Sequence, residues 1–435
     1  MSVLHPNVGE AMLSETDLWG MPLAVQSVIK STVVSNKPTT TFAQSNNLTF
    51  HVPGTSDCTD TNFMLHLSGE VVKADGTKIK EGESDVALVN NSLHSLLMQI
   101  DVLAGDTVVS QSSLTYPYKA YMEDVLAYDT NAKLSHMTMR GWAKDTAGHM
   151  DDYDGDNNQG LVKRRKIVKN SRVFEFFGPL HCDFLSNQGK LLLPHLDVTI
   201  KLTRTADSFA LMSTTQNEKI VIRDATLFVR KVTLSPSMNI AHAEALEHAP
   251  ARYPFTRTSV KSITIPSGFR DKTIPNVHLG QVPKRIVVGF VSNVAYNGSY
   301  HHNPFNFQHF NINYLCLYVD SDQIPAVPLT PDFTNGNYAR SFYSLFEGTG
   351  IKWKDEGNDI SYDEYGNGYT LFAFDLTPDQ SAHEQHWNVQ RQGVVRLDVR
   401  FKVELPVAVN CIVYSEFDNL IEIDKNRKVI VDYSV

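Results

Sequence analysis

The sequence predicts an all-β protein built from two tandem β-sandwiches, and three observations predict it. The chain has 435 residues, which is more than one ordinary core holds, so two domains are the default expectation. Short runs of valine, isoleucine, threonine and aromatic residues recur along it, separated by turn-forming clusters. The second half of the chain repeats the order of these runs in the first half. Many short strands with few helices are typical of a sandwich or barrel.

The first half carries eight predicted strands. Each is a β-branched or aromatic run that ends at glycine, proline or another turn former. They are Val25–Val34, Leu48–Val52, Phe63–Val72, Leu96–Leu103, Thr107–Ser110, Val173–Phe177, Leu191–Thr203 and Ile220–Leu234. Residues 1–20 show no clear period, and we expect them to form an arm that is ordered only by a partner.

The stretch Asn91–Tyr128 combines a strand, a turn and a helix. Alternation over Leu96–Leu103 predicts the strand, and Ala104-Gly105-Asp106 has the composition of a turn into a second strand. Tyr116-Pro117 opens the helix, in which apolar residues recur at spacings of three and four: Tyr118, Tyr121, Met122, Val125 and Leu126. We expect Tyr121 and Val125 to pack on the strands.

Residues 131–171 interrupt the strand pattern with a polar, glycine-bearing segment that we predict to be a surface insertion. Its aspartates resemble part of a calcium loop, but the glycine is misplaced and no glutamate closes the loop, which favours a solvated loop over a cation site. They are Asp151, Asp152, Asp154 and Asp156. The run Lys163–Lys166 is compatible with a nuclear import signal or a phosphate-binding patch, but an exposed basic turn is favoured.

The strand pattern breaks at Ser235-Pro236, and Asn239–His248 is predicted to be a short helix. We therefore expect an arm at residues 1–20, a first sandwich at 21–238, a linker at 239–250 and a second sandwich at 251–435. The predicted strands of the second half are Arg257–Ile265, Arg285–Ser292, Phe310–Val319, Gly368–Asp375, Val394–Leu405 and Asn410–Tyr414.

The second half repeats the layout of the stretch Asn91–Tyr128. The strand Phe310–Val319 runs into an acidic turn and a short return, Gln323–Ala326, and a segment of helical spacing follows that ends at Gly348 and Gly350. The number of residues that separates equivalent positions of the two halves decreases after this helix, as expected if the first half carries an insertion. A repeat of this length indicates duplicated domains, and two sandwiches with one short helix each predict two tandem eight-stranded jelly rolls, a double jelly roll.

Composition and charge exclude several classes of protein. Hydrophobic residues at 42% and charged residues at 20% are typical of a folded globular chain. The net charge of −9 gives no general attraction to nucleic acid. No apolar run is long enough to cross a bilayer, and the N-terminus lacks the pattern of a signal peptide, so we expect synthesis in the cytosol. The cysteines lack a paired spacing and are expected to be buried thiols: Cys58, Cys182, Cys316 and Cys411.

Four blocks of the sequence carry a resemblance to a known family. They read NSLHSLLMQIDVLAGDTVVSQSSLTYPYKAYMEDVL, FNFQHFNINYLCLYVDSDQIPA, GNGYTLFAFDLTPD and VNCIVYSEFDNLIEIDKNRKVIVDYS. In these blocks the chain resembles the major capsid proteins of the Polinton (Maverick) and adintovirus-like group.

The resemblance implies a structural protein without catalytic residues or cofactors. It implies homotrimeric, pseudo-hexagonal capsomers in an icosahedral shell around double-stranded DNA. Neighbouring capsomers and a penton or minor capsid protein would be the partners, without membrane insertion and with only indirect contact to DNA. The expected location is the virion, after synthesis in the host cytoplasm and possible import into the nucleus.

Residue patterns typical of enzymes have a simpler interpretation in this chain. The crowded carboxylates of one loop resemble a glycosidase pair, but a solvated hairpin tip is favoured: Asp355, Glu356, Asp359, Asp363 and Glu364. His301-His302 has no third ligand at a known spacing, and His383 with His386 lacks the zinc-protease pattern. We predict no catalytic, cofactor-binding or metal-binding residues.

Two alternatives to a major capsid protein stay open. One is a minor or vertex capsid protein that consists of a single jelly roll with an added domain. The other is a carbohydrate-binding β-sandwich protein that stacks aromatic loop residues on sugars, although such residues are expected rather to fill the ends of the sandwiches: Trp353, Tyr362, Tyr365 and Trp387.

Overall fold

Two main antiparallel sheets form in each half of the chain, because alternating apolar residues give most strands a buried face, and Val86–Leu88 pairs with Leu211–Ser213 in a separate two-stranded sheet of the first half. The computed structural model describes residues 12–432 apart from 20, 22–23, 41–45, 112 and 187–188. The strands of the first half are β1 (Val28–Asn36), β2 (Asn47–Val52), β3 (Cys58–Thr59), β4 (Met64–Lys73), β5 (Val86–Leu88), β6 (Leu97–Ala104), β7 (Thr107–Gln111), β8 (Phe174–Pro179), β9 (Val198–Arg204), β10 (Leu211–Ser213) and β11 (Glu218–Leu234). Those of the second half are β12 (Ala251–Ile265), β13 (Asp271–Gln281), β14 (Arg285–Ser292), β15 (Ile312–Val319), β16 (Asp322–Leu329), β17 (Leu371–Asp375), β18 (Gln392–Phe401), β19 (Val409–Ile423) and β20 (Val429–Asp432).

Ten α-helices lie in the connections of the described part of the chain. They are α1 (Ser92–Ser95), α2 (Tyr116–Ala127), α3 (Thr130–Leu134), α4 (Gln159–Val168), α5 (Asp183–Ser186), α6 (Asp207–Ala210), α7 (Pro236–His248), α8 (Asn293–Asn297), α9 (Ala339–Thr349) and α10 (Tyr362–Tyr365). None of them combines the length and the apolar character needed to span a bilayer.

The same strand order occurs in both halves. In the first half, one sheet runs β1-β11-β4-β8 and the other runs β2-β9-β6-β7. In the second half, the sheets run β12-β19-β14-β17 and β13-β18-β15-β16. The eight strands of these two sheets are the main strands of each half. When they are numbered 1 to 8 along the chain, both halves give the orders 1-8-3-6 and 2-7-4-5. These are two jelly rolls, and the predicted fold class is confirmed.

The internal repeat lies at equivalent positions of the two jelly rolls. β6 and β15 are the fourth main strands, and α2 and α9 both lie between the fifth and the sixth. α9 ends where Gly350 takes a left-handed conformation (φ 77°), as the glycine at this position predicts. The connection that contains the helix is longer in the first half, where it spans 112–173 against 330–370 in the second.

Several strand predictions need correction. β12 begins at Ala251 and not at Arg257, and the short strands β3, β5, β10 and β20 were not predicted. β9 begins at Val198 and not at Leu191, because the preceding segment forms only an isolated bridge through Leu192. β13 escaped prediction because its pairing register shifts between Ile274 and His278, which interrupts the alternation. β19 runs far past the predicted end, since it pairs with β12 along its whole length.

The expectation that residues 131–171 form a surface insertion is also corrected. Trp142, Met150 and Leu161 are buried in a cluster with side chains of the second half. The predicted basic turn is part of helix α4, whose spacing turns Arg164 inward while Lys163 stays exposed. The segment therefore packs between the two jelly rolls.

Helix α7 separates the strands of the two halves. It contains no buried residue, and the Ser235 hydroxyl caps it by accepting a hydrogen bond from the Met238 N–H at 3.4 Å. Of the predicted arm, residues 1–11 and 20 lie outside the described residues, whereas residues 12–19 are exposed. All four cysteines are buried, as predicted.

Candidate functional site

Helix α2 presents two chemically different faces to the rest of the molecule. Pro117 suits its first turn, where a missing N–H costs no hydrogen bond. Helical spacing then gives an aromatic face with Tyr118, Tyr121 and Val125 and a polar face with Tyr116, Lys119, Glu123 and Asp124. Nearly all of these side chains are buried, so each face needs partners from other elements.

The aromatic face of α2 contacts the second jelly roll. Tyr121 stacks on Phe305 with ring centroids 4.1 Å apart and ring planes within 6°. Tyr118 stacks on Tyr296 at 5.5 Å. Both partners lie in the connection from β14 to β15, so this helix of the first half docks the second half through its rings.

Asp124 is the centre of a buried polar network on the other face. Its Oδ1 accepts a hydrogen bond from Arg140 Nη1 at 3.0 Å and lies 3.3 Å from His181 Nε2. Its Oδ2 accepts one from Asn91 Nδ2 at 2.7 Å. Burial raises the pKa of this carboxyl, but His181 and Arg140 more than offset it and hold the pKa below its ordinary value. Asp124 is therefore ionised although its side chain is fully buried.

His181 extends the network toward the second jelly roll. Its Nδ1 lies 2.6 Å from Glu123 Oε2, and Glu123 Oε1 accepts a hydrogen bond from the Tyr414 hydroxyl in β19 at 3.2 Å. Burial lowers the pKa of the imidazole, but Asp124 and Glu123 raise it to about 9. The negative potential of the two carboxylates thus attracts positive charge to this ring.

Lys119 makes a second polar link between the halves. Its Nζ donates to Asp183, whose Oδ2 accepts a hydrogen bond from the Thr258 backbone N–H in β12 at 2.9 Å. Burial lowers the pKa of Lys119, but Asp183 and Glu123 raise it above its ordinary value. The buried ammonium therefore stays charged and paired.

Three members of this network are of types that bind metal ions. One nitrogen of His94, one of His181 and a carboxylate oxygen of Asp124 lie within 4.8 Å of one another. Among the described residues, this is the only group of three or more histidine, cysteine or carboxylate side chains so placed. The sequence prediction of no metal-binding residues missed this convergence. The sequence held one signal, because His94 and Asp124 are ionisable residues among mostly apolar neighbours.

A cleft of about 1210 Å³ opens between the two jelly rolls beside the network. Glu123, His181 and Tyr414 line it, together with Arg285 and Trp387. The Arg285 guanidinium is paired with Glu416 at 3.3 Å, so the cleft does not present an uncompensated reactive group at that point. The cleft offers mixed polar and apolar surface of the kind that another chain covers.

The crowded acidic loop is only partly the solvated hairpin tip that we expected. Lys144 of the 131–171 segment pairs with Glu364 at 2.8 Å and with Asp359 at 3.5 Å. The Asp359 carboxylate also accepts a hydrogen bond from the Thr130 hydroxyl at 2.8 Å. These carboxylates fasten the loop to the first half, which is a structural role.

The aspartates at 151–156 do not act together. Asp151 accepts hydrogen bonds from the Asn303 backbone N–H at 2.8 Å and from Asn306 Nδ2 at 2.7 Å, both in the second half. Asp154 and Asp156 are exposed, as a solvated loop predicts.

The histidine pairs of the sequence analysis have local partners. His301 stacks on Tyr153 with centroids 4.2 Å apart, and His302 lies 3.1 Å from the Ser299 hydroxyl. His383 pairs with Glu384, and His386 pairs with Asp379.

The aromatic loop residues fall into two groups. Tyr365 is fully buried and fills an end of the sandwich as expected, whereas Tyr362 is 36% exposed and stacks on Tyr338 at 4.4 Å. Trp353 and Trp387 are 86% and 43% exposed, which corrects that expectation for the two tryptophans.

A buried histidine in the second half predicts a specific sensitivity to acid. His278 Nε2 is hydrogen-bonded to the Ser415 hydroxyl at 2.7 Å, and Lys261 and Arg257 are the charged groups near it. Burial, followed by these two cations, lowers its pKa to about 3. The imidazole of His278 binds a proton more tightly in the unfolded chain than in the folded protein. The stability that the neutral, buried His278 contributes is therefore complete above pH 6.5 and is lost as the pH falls toward 3. We expect about 2 kcal/mol of loss between pH 6.5 and 5 from this residue.

Denaturant unfolding of His278→Gln at several pH values measures that contribution, because glutamine stays neutral. The stability of the variant should fall less steeply below pH 6.5 than that of the native protein. His51→Gln, at an exposed histidine of β2, is the matched control and should keep the native slope. Equal slopes in all three proteins would contradict the assignment.

Comparisons with known proteins place the fold. No protein-family model matches the chain. An uncharacterized protein of Caenorhabditis elegans is 27% identical over 353 residues, which cover 80% of this chain and 82% of that protein.

Solved structures of viral proteins share the fold over 93–100% of the chain. A chain of the cryo-EM structure of the Sputnik virophage matches with a TM-score of 0.68 at 12% identity and covers 100% of this chain and 94% of its own. The mavirus major capsid protein gives 0.55 at 12% identity, with coverage of 100% and 97%. The Faustovirus major capsid protein gives 0.58 at 7% identity, with coverage of 93% and 92%. At these identities the likeness concerns the fold, which is a double jelly roll.

Proposed function

We propose that this protein is the major capsid protein of an icosahedral DNA virus or virus-like transposon. The observation that carries the proposal is the duplication of one eight-stranded topology within a single chain. Three copies of such a chain present six similar sandwiches around one axis, so the capsomer has a pseudo-hexagonal outline that tiles a closed shell. The likeness to the mavirus and Faustovirus major capsid proteins supports the same function.

Within this function we place the protein with the Polinton (Maverick) and adintovirus-like group. The support is the set of four sequence blocks, one of which supplies α2 and much of the buried polar network. The proposed partners are neighbouring capsomers and a penton or minor capsid protein, with DNA enclosed by the shell and contacted only indirectly. Arg164 is buried, so the run Lys163–Lys166 does not support nuclear import of the folded protein.

We also propose a division of the chain into an arm at 1–20, a first jelly roll at 21–238, a linker at 239–250 and a second jelly roll at 251–435. Each described sheet contains strands from one half only, and the exposed helix α7 lies between the halves. Both facts support boundaries near these positions.

Expressed alone, the protein is expected to elute as a trimer of roughly three times 48.7 kDa. Obligate interfaces of this kind usually exceed about 2,000 Å², so the trimer should persist on dilution. Light scattering after gel filtration measures the mass, and electron microscopy shows whether the particles are pseudo-hexagonal. A stable monomer at high concentration would contradict the proposal, and pentamers would favour a vertex protein.

A further inference from the structure

We propose that His94, Asp124 and His181 bind one divalent transition-metal ion of the zinc type, which joins α1, α2 and the segment that follows β8. This site is independent of the proposed capsid function, since it rests on the buried network of the isolated chain. The ion would have a structural role, because the three side chains lie inside the protein beside the docking face of α2.

The distances between the donor atoms suit such an ion. The three donor atoms lie within 4.8 Å of one another, and His181 Nε2 is 3.3 Å from Asp124 Oδ1. Tetrahedral coordination with bonds of about 2.0–2.1 Å places neighbouring donors about 3.3 Å apart. The His181–Asp124 pair already has this spacing, and the donor nitrogen of His94 lies within 4.8 Å of both partners.

Hydrogen bonds orient each proposed ligand. His94 Nδ1 lies 2.8 Å from the Tyr116 hydroxyl, and His181 Nδ1 lies 2.6 Å from the Glu123 carboxylate. Metal-binding histidines almost always donate their second ring N–H to an oxygen in this way. Asp124 Oδ2 is held by Asn91 Nδ2 at 2.7 Å, so the ion would bind Oδ1, to which Arg140 Nη1 also donates at 3.0 Å.

His94 supplies an independent sign that a ligand is needed. Its side chain is fully buried, and Nε2 has no hydrogen-bond partner among the described residues. A buried nitrogen without a partner is unfavourable and calls for an explanation.

The ion would have to replace a proton, because the network already balances its charges. Asp124, Glu123 and Asp183 face Arg140, Lys119 and the imidazole of His181, so an ion at His181 Nε2 takes the place of the proton on that nitrogen. Arg140 is the rival of the ion, since its Nη1 lies 3.0 Å from Asp124 Oδ1 and 3.4 Å from His181 Nε2. His181 and Glu123 line the cleft between the jelly rolls, which provides the entry path.

Metal titration of the full-length protein in its native assembly tests the site. The protein is stripped with a chelator, dialysed and titrated with Zn²⁺, and separately with Co²⁺, whose visible absorption reports its ligands. We expect one ion per chain and Co²⁺ bands typical of mixed nitrogen and oxygen coordination. Mg²⁺ should not compete, because it prefers oxygen ligands. Failure of the native protein to bind either ion stoichiometrically, or a Co²⁺ spectrum of the hydrated ion, would overturn the proposal.

Variants identify the ligands. His94→Phe and Asp124→Asn should abolish stoichiometric binding, and Glu123→Gln should weaken it by about 10- to 100-fold, as losses of orienting partners do. Arg140→Met removes the competing guanidinium and should strengthen metal binding. His278→Gln and His386→Gln, at a buried and a surface histidine, should bind like the native protein. Native affinity in His94→Phe, or loss of the ion only in His386→Gln, would refute the assignment. If the ligand variants fail to fold, the Co²⁺ spectrum of the native protein still decides.

Discussion

Replacement of Arg164 by methionine is expected to destabilise the protein by about 3–5 kcal/mol, the usual cost of removing one partner of a buried ion pair. The Arg164 side chain is fully buried and pairs with Asp145, whose side chain is fully buried as well. Arg164 Nε also donates to the Leu88 carbonyl at 2.8 Å. Methionine has similar length but no charge, so the variant leaves the Asp145 carboxylate without its cation and the carbonyl without its donor.

The effect should reach the contact between the jelly rolls. Asp145 Oδ2 accepts a hydrogen bond from Asn303 Nδ2 at 3.0 Å, and the Asp145 carbonyl accepts one from the Tyr369 hydroxyl at 2.7 Å. Both donors belong to the second half. Loss of Arg164 therefore disturbs a residue that the two halves share, and we expect the unfolding of both jelly rolls to be affected.

Denaturant unfolding at a fixed protein concentration measures this loss, since assembly makes the apparent stability depend on concentration. Lys163→Met is the matched control, because its side chain is exposed on the same helix and its replacement should change stability by no more than about 0.5 kcal/mol. The double variant Arg164→Met with Asp145→Asn should be less destabilised than the sum of the single changes, since it leaves no unpaired charge. A loss below about 1 kcal/mol in Arg164→Met would show that the pair is not stabilising.

Arg164 is a residue whose burial could not be predicted from the sequence, in contrast to the buried faces of the strands. Period-two alternation fixes which face of a strand is buried, so β6, β15 and the repeat around them were predictable. A run of lysine and arginine, in contrast, gives no sign that one member turns inward. That choice depends on Asp145, which lies 19 residues earlier in the chain and contacts Arg164 only when the 131–171 segment is folded. An ion pair between residues that are distant in sequence produces no regular spacing from which it could be predicted.

The candidate site was hidden for a related reason. His94, Asp124 and His181 belong to three separate segments, and none has a partner at a spacing typical of a metal motif. The prediction that Tyr121 and Val125 pack on the strands is only partly confirmed. Both are buried, but the Tyr121 ring contacts Trp142 and two rings of the β14–β15 connection, Phe305 and Phe307. The helical spacing also placed Lys119 and Asp124 on α2, where both are buried, but the partners that make such burial tolerable come from elements that only the fold brings near.

The Tyr121→Ala variant is expected to lose about 3–5 kcal/mol of stability, as large-to-small changes at buried aromatic residues do. Tyr121 is 1% exposed, and its ring contacts Phe305 at 4.1 Å, Trp142 at 5.7 Å and Phe307 at 6.0 Å between centroids. Alanine leaves a cavity between α2 and the second jelly roll. Because Phe305 and Phe307 lie in that half, the cavity loosens the contact between the halves and not only the helix.

Two variants separate this packing effect from other consequences of the substitution. Tyr121→Phe keeps the stacked ring and should cost less than about 1.5 kcal/mol. Tyr343→Ala, on the equivalent helix α9, removes a ring that is 44% exposed and should cost little. Limited proteolysis adds a local readout, because α7 is exposed and connects the halves, so cleavage there should accelerate in Tyr121→Ala before global unfolding. If Tyr121→Ala unfolds like the native protein and α7 is cleaved at the native rate, the stacked rings do not hold the two jelly rolls together. The duplicated sandwiches would then depend on the polar network of Asp124 and Asp145 for their relative placement.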